Sequence, residues 1–191
     1  NEEPAIRTQM RLLNACTGLQ RGSILNGSRD LTKKVWGGIN PYIENFDCVG
    51  KTMDDLNEYC ANNDVDILII DQLDKINVTG KFNATHEKLR EVYTQARELA
   101  KRHNILVIGM SQASAEAQGR SRVTFSAMEN SKTGKAAEAD IILGLGKEDE
   151  QENFMDDCIR FVTLSKNKLT GDHKEFEVIL RPTISRFAER N

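Results

Sequence analysis

The stretch Asp66-Ile67-Leu68-Ile69-Ile70-Asp71 decides the fold. Its central residues are aliphatic without any polar alternation, which is typical of a strand buried on both faces of a parallel sheet. A second such run, Ile105-Leu106-Val107-Ile108-Gly109-Met110, follows a predicted helix over about residues 84–103. Because a strand, a crossover helix and a second strand of this length form a βαβ unit, the sequence predicts an α/β fold.

Polar side chains follow both predicted strands. Asp71 ends the first strand, and Ser111 and Gln112 follow the second. The carboxyl ends of parallel strands share one edge of the sheet, where open α/β sheets bind ligands. An aspartate there either holds Mg²⁺ through water against the phosphates of a nucleoside triphosphate or simply ends the strand. Gln112 likewise either senses a γ-phosphate or begins a loop.

Flanking elements are predicted on both sides of this unit, and together they form one domain over residues 1–191. No internal repeat, low-complexity segment or Pro/Gly/Ser-rich linker divides the chain. The turn Leu169-Thr170-Gly171-Asp172 predicts an antiparallel hairpin near the C-terminus. The other predicted elements are helices after Pro4, over Leu31 to Trp36 and over Thr52 to Asn62, and strands over Ala139 to Gly144, Ile159 to Leu164, Phe176 to Leu180 and Ile184 to Phe187.

Composition excludes several classes of protein. The chain is 39% hydrophobic and 29% charged with a net charge of −3, which is unlike a disordered chain or a generally basic nucleic-acid binder. No apolar run approaches the length of about 20 residues that a membrane span needs, so no membrane partner is predicted. The four cysteines and three histidines are scattered, which predicts reduced thiols, no zinc site and a cytoplasmic protein.

The chain begins Asn1-Glu2-Glu3-Pro4, without an initiator Met or a signal-peptide pattern, so we expect a piece of a longer protein. Either glutamate is a candidate general base for an attacking water, or it caps the helix that follows. A glycine-rich phosphate loop ending in Lys-Ser or Lys-Thr is absent. The nearest imitation, Lys132-Thr133-Gly134-Lys135-Ala136, lacks the upstream glycine and the Ser or Thr after its lysine, so we reject it.

Two segments carry candidate anion-binding cations. The stretch from Ala113 to Ala136 is polar and rich in Ser, Arg and Lys, and so long a loop inside a compact domain indicates function or mobility. In Lys166-Asn167-Lys168 the two cations alternate along a strand end and therefore share a face. They either reach an anion outside the domain or form an ordinary solvated edge.

In this order along the chain, the motifs resemble the ATPase domain of the hexameric replicative DNA helicases, the DnaB family and particularly its phage gene-4-type relatives. The resemblance covers essentially the whole chain. It implies a RecA-like α/β fold, a three-layer sandwich with a mostly parallel sheet flanked by helices and an antiparallel C-terminal hairpin. The matching segments are Asn1 to Pro4 for the Glu motif, Asp66 to Asp71 for the Walker B strand, Ile108 to Gln112 for the sensor motif, Ala139 to Leu143 for the strand after the DNA loop, Leu164 to Asp172 for the motif with trans-acting cations, and Ser185 to Phe187 for the closing strand.

The resemblance implies an ATP site. Asp71 would hold a Mg²⁺ ion, through water, and Gln112 would couple the nucleotide state to the DNA loops. Glu2, with Glu3 as second choice, would be the general base that polarises water for attack on the γ-phosphate. The resemblance also implies that Arg186 binds the nucleotide. ATP and Mg²⁺ are therefore the cofactors that the resemblance implies.

The resemblance also implies a ring, a homo-oligomer that is expected to be a hexamer. Lys166 and Lys168 would reach across a subunit interface to the neighbour's γ-phosphate and stabilise the charge that develops there. The family commonly has arginine where Lys168 stands, and lysine lacks the planar bidentate fork. A primase is a further candidate partner.

Single-stranded DNA is the other partner that the resemblance implies. The loop from Ala113 to Lys135 would lie in the central channel, where its cations contact DNA phosphates without regard to sequence. A surface loop with ordinary charges is the alternative. The loop Asn77 to Asn83, with Lys75 and Lys81, is a second and weaker DNA candidate. The cations predicted to contact DNA are Arg120, Arg122, Lys132 and Lys135.

Two alternatives remain at this point. One is a strand-exchange recombinase of the RecA/RadA group, which the segment Lys166 to Asp172 disfavours because it resembles the helicase type. The other is a RecA-like interaction module that binds a partner and no nucleotide. We expect the 191-residue chain alone to bind ATP poorly and not to hydrolyse it. The resemblance also implies that the protein is located in the cytoplasm of a bacterium or of a phage-infected host.

Overall fold

The structure is a computed structural model that describes residues 4–27, 29–45, 49–128, 132–149 and 157–190. Its helices are α1 (Ala5–Thr17), α2 (Arg21–Asn26), α3 (Arg29–Ile39), α4 (Met53–Asn62), α5 (Thr85–His103) and α6 (Lys132–Glu138). Its strands are β1 (Ile67–Ile70), β2 (Leu106–Gly109), β3 (Ile141–Gly146), β4 (Ile159–Asn167), β5 (Glu175–Arg181) and β6 (Arg186–Glu189). The predicted α/β class is confirmed. Within these ranges no helix is long and apolar enough to cross a membrane.

The chain folds into two compact units. The terminal unit consists of Asn1–Asp47, Gln151–Arg160 and Glu177–Asn191, and the central unit of Cys48–Glu150 and Phe161–Phe176. That residues 1–191 form a single domain stays a prediction.

The predicted βαβ unit is the centre of the central unit. β1 and β2 are parallel, with Ile67 opposite Leu106 and Ile70 opposite Gly109, and α5 connects them. One face of α5 is apolar because its buried residues recur at spacings of three and four, as predicted. These residues are Leu89, Val92, Tyr93, Ala96 and Leu99. All of them except Leu89 share one core with Ile70, Leu73, Ile76 and with Met53, Leu56 and Cys60 of α4.

The other face of the β1–β2 pair is exposed. Ile67 is 56% exposed, Ile69 60% and Leu106 55%. The prediction of burial on both faces is therefore wrong for the part of the chain that the structure describes. An unbroken aliphatic run shows that both faces are apolar, but only tertiary packing decides which face is covered, and here α4 and α5 pack on the side of Leu68 and Ile70.

The other four strands form one sheet in the order β3-β4-β5-β6. β3 pairs with β4 and β5 with β6 in antiparallel fashion. The predicted turn between β4 and β5 is present, where the N–H of Gly171 donates to the carbonyl of Asn167 at 3.1 Å. Parallel pairing among the described strands is thus limited to β1 with β2, and the C-terminal strands are antiparallel as predicted.

Two glycines of β3 let the loop that precedes α6 lie directly on the strand. A Cβ at Gly144 would overlap the carbonyl of Val123, and a Cβ at Gly146 would overlap that of Ser121. Val123 is buried, and the N–H of Phe125 donates to the Ser165 Oγ at 2.7 Å. The central part of the loop is therefore packed on the sheet and does not extend freely into solvent.

Helix α4 begins with a capping box. The Thr52 Oγ accepts from the N–H of Asp55 at 3.2 Å, and the Asp55 carboxylate accepts from the N–H of Thr52 at 2.7 Å. These bonds satisfy amides that the first turn of a helix leaves without a partner. The hydrogen bond from the Thr52 backbone lowers the pKa of the Asp55 carboxyl.

In the terminal unit, α1 follows Pro4 and ends at Gly18, as predicted. Gly18 has φ +70°, a left-handed conformation that glycine adopts without strain and that is common after the last helical residue. The guanidinium of Arg186, on β6, donates to the carbonyls of Ala15 and Cys16 at this helix end. A cation at a helix C-terminus is favourable because the unpaired carbonyls carry partial negative charge.

We expect Gly146→Ala to lower the free energy of unfolding by about 1–3 kcal/mol, because the added methyl group must push residues 120–121 off the strand. Urea unfolding followed by circular dichroism measures this change. Gly37→Ala, in α3 with no atom within 4 Å of the new Cβ, is the control and should not destabilise the protein. Equal midpoints for wild type and Gly146→Ala would contradict the close approach.

The pKa of Asp55 in the folded protein is lower than its ordinary value of 3.8. The ionised carboxylate therefore stabilises the fold above pH 3.8, and this stabilisation is lost as the pH falls through the lowered pKa. We expect Asp55→Asn to be less stable than wild type at pH 7 and the difference to shrink in acid. Urea unfolding at about pH 7 and about pH 3 tests this. The control is Asp64→Asn, an exposed position. A difference that does not depend on pH would exclude the explanation.

Candidate functional site

The carboxyl ends of β1 and β2 lie side by side. Beyond the strands, the N–H of Met110 donates to the carbonyl of Ile70 and the N–H of Leu73 to that of Met110, both at 2.9 Å. Asp71 follows β1 directly, and Gln112 follows β2 after Met110 and Ser111; both are exposed. The structure therefore brings the segments of Asp71 and Gln112 to one edge of the sheet.

The backbone turns sharply after Asp71. Gln72 has φ +55°, a conformation that is costly for a residue with a side chain, and a 3₁₀ turn over Leu73–Lys75 follows. Within the described residues the Gln72 Oε1 is buried and has no hydrogen-bond partner. This turn places the next carboxylate, that of Asp74, between Tyr93 of α5 and Ser111, which follows β2.

The Asp74 carboxylate collects donors from three other segments. The Tyr93 hydroxyl of α5 donates to Oδ1 at 2.7 Å, and the Ser111 hydroxyl, after β2, donates to Oδ2 at 2.9 Å. The Lys135 Nζ of α6 is 2.6 Å from Oδ2, 3.2 Å from the Ser111 Oγ and 5.6 Å from the centre of the Tyr93 ring. Burial raises the pKa of Tyr93, so its hydroxyl stays a donor at neutral pH. We call Asp74, Tyr93, Ser111 and Lys135 the Asp74 cluster.

Lys135 differs from its prediction as a DNA-binding residue. Its side chain is 0% exposed, against 23% for that of Asp74. In this conformation the ammonium does not reach a DNA phosphate, because it has no access to solvent and is held by the Asp74 carboxylate. The assignment of Lys135 to DNA contact stays a prediction, and its burial disfavours it.

The other cations of the loop have different settings. Arg120 is exposed, and Arg122 has 70% of its side chain exposed, with its Nε 3.8 Å from the Glu175 carboxylate. The side chain of Lys132 lies outside the described residues. The base of the loop is closed by an antiparallel bridge between Ala113 and Met128. Lys75 and Lys81, of the weaker DNA candidate, are exposed.

Lys166 and Lys168 both point to the C-terminal end of α6. The Lys166 Nζ donates to the carbonyl of Ala136, and the Lys168 Nζ lies 3.2 Å from that of Ala137 and 3.4 Å from the Asp140 carboxylate. Burial and the neighbouring Lys168 charge lower the pKa of Lys166. The Lys168 side chain is 41% exposed. The shared face predicted for this pair is present, and its two cations are held by a helix end of the same chain.

For two predicted site residues, Glu2 and Arg186, the structure describes no contact with the sheet edge. Glu2 lies outside the described residues, as does Glu3. The Arg186 guanidinium is bound to the carbonyls at the end of α1. Their nucleotide roles stay predictions.

A magnesium ion fits this edge only with phosphates as additional ligands. No group of three or more His, Cys, Asp or Glu residues able to hold a metal occurs in the described ranges. Mg²⁺ usually keeps several waters and takes one or two carboxylates plus substrate phosphates, so the single carboxylate of Asp71 is sufficient with a nucleotide and insufficient without one.

Sequence reasoning missed the Asp74 cluster. Tyr93 occurs on an apolar helix face, and Asp74 occurs in a segment that reads as loop. The only signal is the short interval between Asp71 and Asp74, which does not by itself specify a partner. Lys135 lies 61 residues from Asp74 in sequence, and only the fold brings the two together.

Comparison with known proteins gives the family. The model of the DnaB-like helicase C-terminal domain matches residues 8–189. This chain therefore belongs to the DnaB-like helicase C-terminal domain family, and the resemblance seen in its motifs is confirmed. None of the curated proteins matches it significantly.

Solved structures agree on the fold. A DnaB-like replicative helicase, studied together with its interactions with primase, superimposes with a TM-score of 0.82 at 19% identity, over 100% of this chain and 49% of that one. A second solved structure, an ATPase domain, gives a TM-score of 0.83 at 19% identity, over 100% of this chain and 72% of that one. The RecA-like fold class is confirmed. The chain thus spans about half the length of the first of these proteins.

Proposed function

We propose that this chain is the ATPase domain of a replicative DNA helicase that couples ATP hydrolysis at subunit interfaces to translocation on single-stranded DNA and to duplex unwinding. The convergence of Asp71 and Gln112 at the carboxyl edge of the β1–β2 pair, in a member of this family, carries the proposal. This edge is where parallel sheets bind nucleotides.

Asp71 is proposed to hold Mg²⁺ through water, and the ion supplies positive charge against the β- and γ-phosphates when ATP is bound. Gln112, on the neighbouring strand end, is proposed to respond to the γ-phosphate. Glu2, with Glu3 as second choice, is proposed as the base that accepts a proton from the attacking water. Arg186 is kept as a nucleotide-binding candidate, although its guanidinium contacts the end of α1.

The cradle for the phosphates is proposed to lie outside the 191 residues. No glycine-rich loop ending in Lys-Ser or Lys-Thr occurs in the sequence, and the chain spans 49% of the solved helicase chain. Without such a loop the phosphates have no backbone amides to bind, so this chain alone is expected to hydrolyse no ATP.

Lys166 and Lys168 are proposed to act at the active site of a neighbouring subunit. Lys168 is the better placed of the two, because 41% of its side chain is exposed. Lys166 would orient it by holding the end of α6. This role requires a ring of identical subunits, which is proposed to be a hexamer. The protein is proposed to act in the cytoplasm, and a primase is a candidate partner.

The loop from Ala113 to Lys135 is proposed to contact single-stranded DNA through Arg120 and Arg122, which lie within residues 113–128, with Lys132 as a further candidate. The support is the exposure of both arginines on a loop whose base is closed by the bridge from Ala113 to Met128. Contacts of this kind go to phosphates, so affinity falls with salt and does not depend on sequence.

In the intact protein, Asp71→Asn should reduce DNA-stimulated ATP hydrolysis to background, because the Mg²⁺ shell loses its carboxylate. The measurement is phosphate release with saturating single-stranded DNA. Asp66→Asn is the matched control, since Asp66 is exposed at the opposite end of the same strand, and it should keep wild-type activity. Undiminished hydrolysis by Asp71→Asn would refute the site. Unwinding of a forked duplex, and not homologous pairing, is the expected activity of wild type.

Arg120→Glu should weaken binding of single-stranded DNA at every sequence tested and should reduce the slope of log affinity against log salt by about 1 or more. Fluorescence anisotropy with labelled oligonucleotides, from about 50 to about 200 mM salt, gives both values. Arg90→Glu, at an exposed position of α5, makes the same charge change away from the loop and should have little effect. Equal weakening by both variants would show a general charge effect and would exclude a specific contact.

A further inference from the structure

The segments on either side of residues 113–128 meet at a single carboxylate. Ser111 precedes these residues and Lys135, in the middle of α6, follows them, and their polar atoms lie 2.9 and 2.6 Å from the same oxygen, the Asp74 Oδ2. The Lys135 Nζ also lies 3.2 Å from the Ser111 Oγ. The Asp74 cluster therefore holds together the segment after β2 and α6, which flank residues 113–128.

The burial of Lys135 opposes the opening of this closure. The Lys135 side chain is 0% exposed, so its ammonium has no water to replace the carboxylate if the pair separates. The Tyr93 hydroxyl occupies the other carboxylate oxygen at 2.7 Å, and the Tyr93 ring lies beside the ammonium at 5.6 Å. A displacement of α6 therefore moves Asp74 with it or breaks a buried ion pair.

Two members of the Asp74 cluster, Ser111 and Asp74, adjoin the proposed nucleotide site. Ser111 is bonded to Gln112 in the chain. Asp74 follows Asp71 closely, through the strained Gln72 and the 3₁₀ turn Leu73–Lys75. A turn this tight has little freedom to absorb motion, so a shift of Asp74 changes the position of Asp71.

We propose that Asp74 and Lys135 are positioning residues that couple the loop of residues 113–128 to the nucleotide site, so that contact of the loop with single-stranded DNA reorients Asp71 and Gln112. This inference rests on the function proposed above. It assigns Lys135 a role in transmission and none in direct contact with DNA. It also explains why a buried lysine is placed at the end of a polar loop.

The test compares basal and DNA-stimulated ATP hydrolysis in the intact protein. The variants are Lys135→Met and Lys135→Met/Asp74→Asn, and the double variant removes both charges so that no charge is left buried without a partner. Lys101→Met, at an exposed position of α5, is the matched control. Oligonucleotide affinity and thermal unfolding are measured for each protein.

We expect the double variant to keep its basal rate and its DNA affinity within about twofold, while the stimulation by DNA falls by about fivefold or more, a typical size for coupling between sites. Lys101→Met should behave as wild type. Retention of full stimulation by a folded double variant would overturn the inference. So would an equal loss of the basal and stimulated rates, because a purely structural role predicts that pattern.

Hydrogen exchange on the wild-type protein provides a test that does not depend on the folding of variants. Addition of single-stranded DNA should change protection in residues 113–128 together with residues 72–76 and 134–138. A change limited to residues 113–128 would overturn the inference. A wild-type protein with neither DNA-stimulated hydrolysis nor DNA-dependent protection would instead refute the helicase function, so the two failures are distinguishable.

Discussion

The packing of α5 against one face of the β1–β2 pair is the contact on which the rest of the central unit depends. Val92 is 0% exposed and Leu99 3%, and each aliphatic side chain buried to this extent contributes about 1.5–3 kcal/mol. The helix closes the crossover that makes the two strands parallel, so it also places their carboxyl ends side by side. Without that packing, Asp71 and Gln112 would not share an edge.

Around this core, charged side chains hold α6 at its middle and at its C-terminal end. Lys135 is paired with Asp74. The carbonyls at the C-terminal end of α6 accept hydrogen bonds from Lys166, Lys168 and Arg97, and the Arg97 Nη1 lies 2.6 Å from the Glu138 carbonyl oxygen. Cations at this position offset the partial negative charge of the helix end. Several of the basic residues of a mildly acidic chain are thus engaged in placing one short helix next to the sheet edge.

Much of this arrangement was predictable. The aliphatic runs, the helical spacing of Leu89, Val92, Ala96 and Leu99, the C-terminal hairpin and the family all follow from local pattern and motif order, since these features depend on residues close together in sequence. The covered face of β1 and the burial of Lys135 did not follow. A pattern records that a residue is apolar or charged, but it does not record what packs against it, and a lysine in a polar loop has the same appearance whether it faces water or a carboxylate.

By itself, the sequence determined the α/β class, the succession of the main strands along the chain, the family, and the positions of Asp71 and Gln112 after two of those strands, because each is encoded by short contiguous stretches. Only the tertiary structure decided that one face of the β1–β2 pair is open, that residues 120–123 lie on β3 at Gly144 and Gly146, and that Lys135 pairs with Asp74. These features join segments far apart in the chain. Their energies come from burial and from charges brought together away from water, which exist only once the chain has folded.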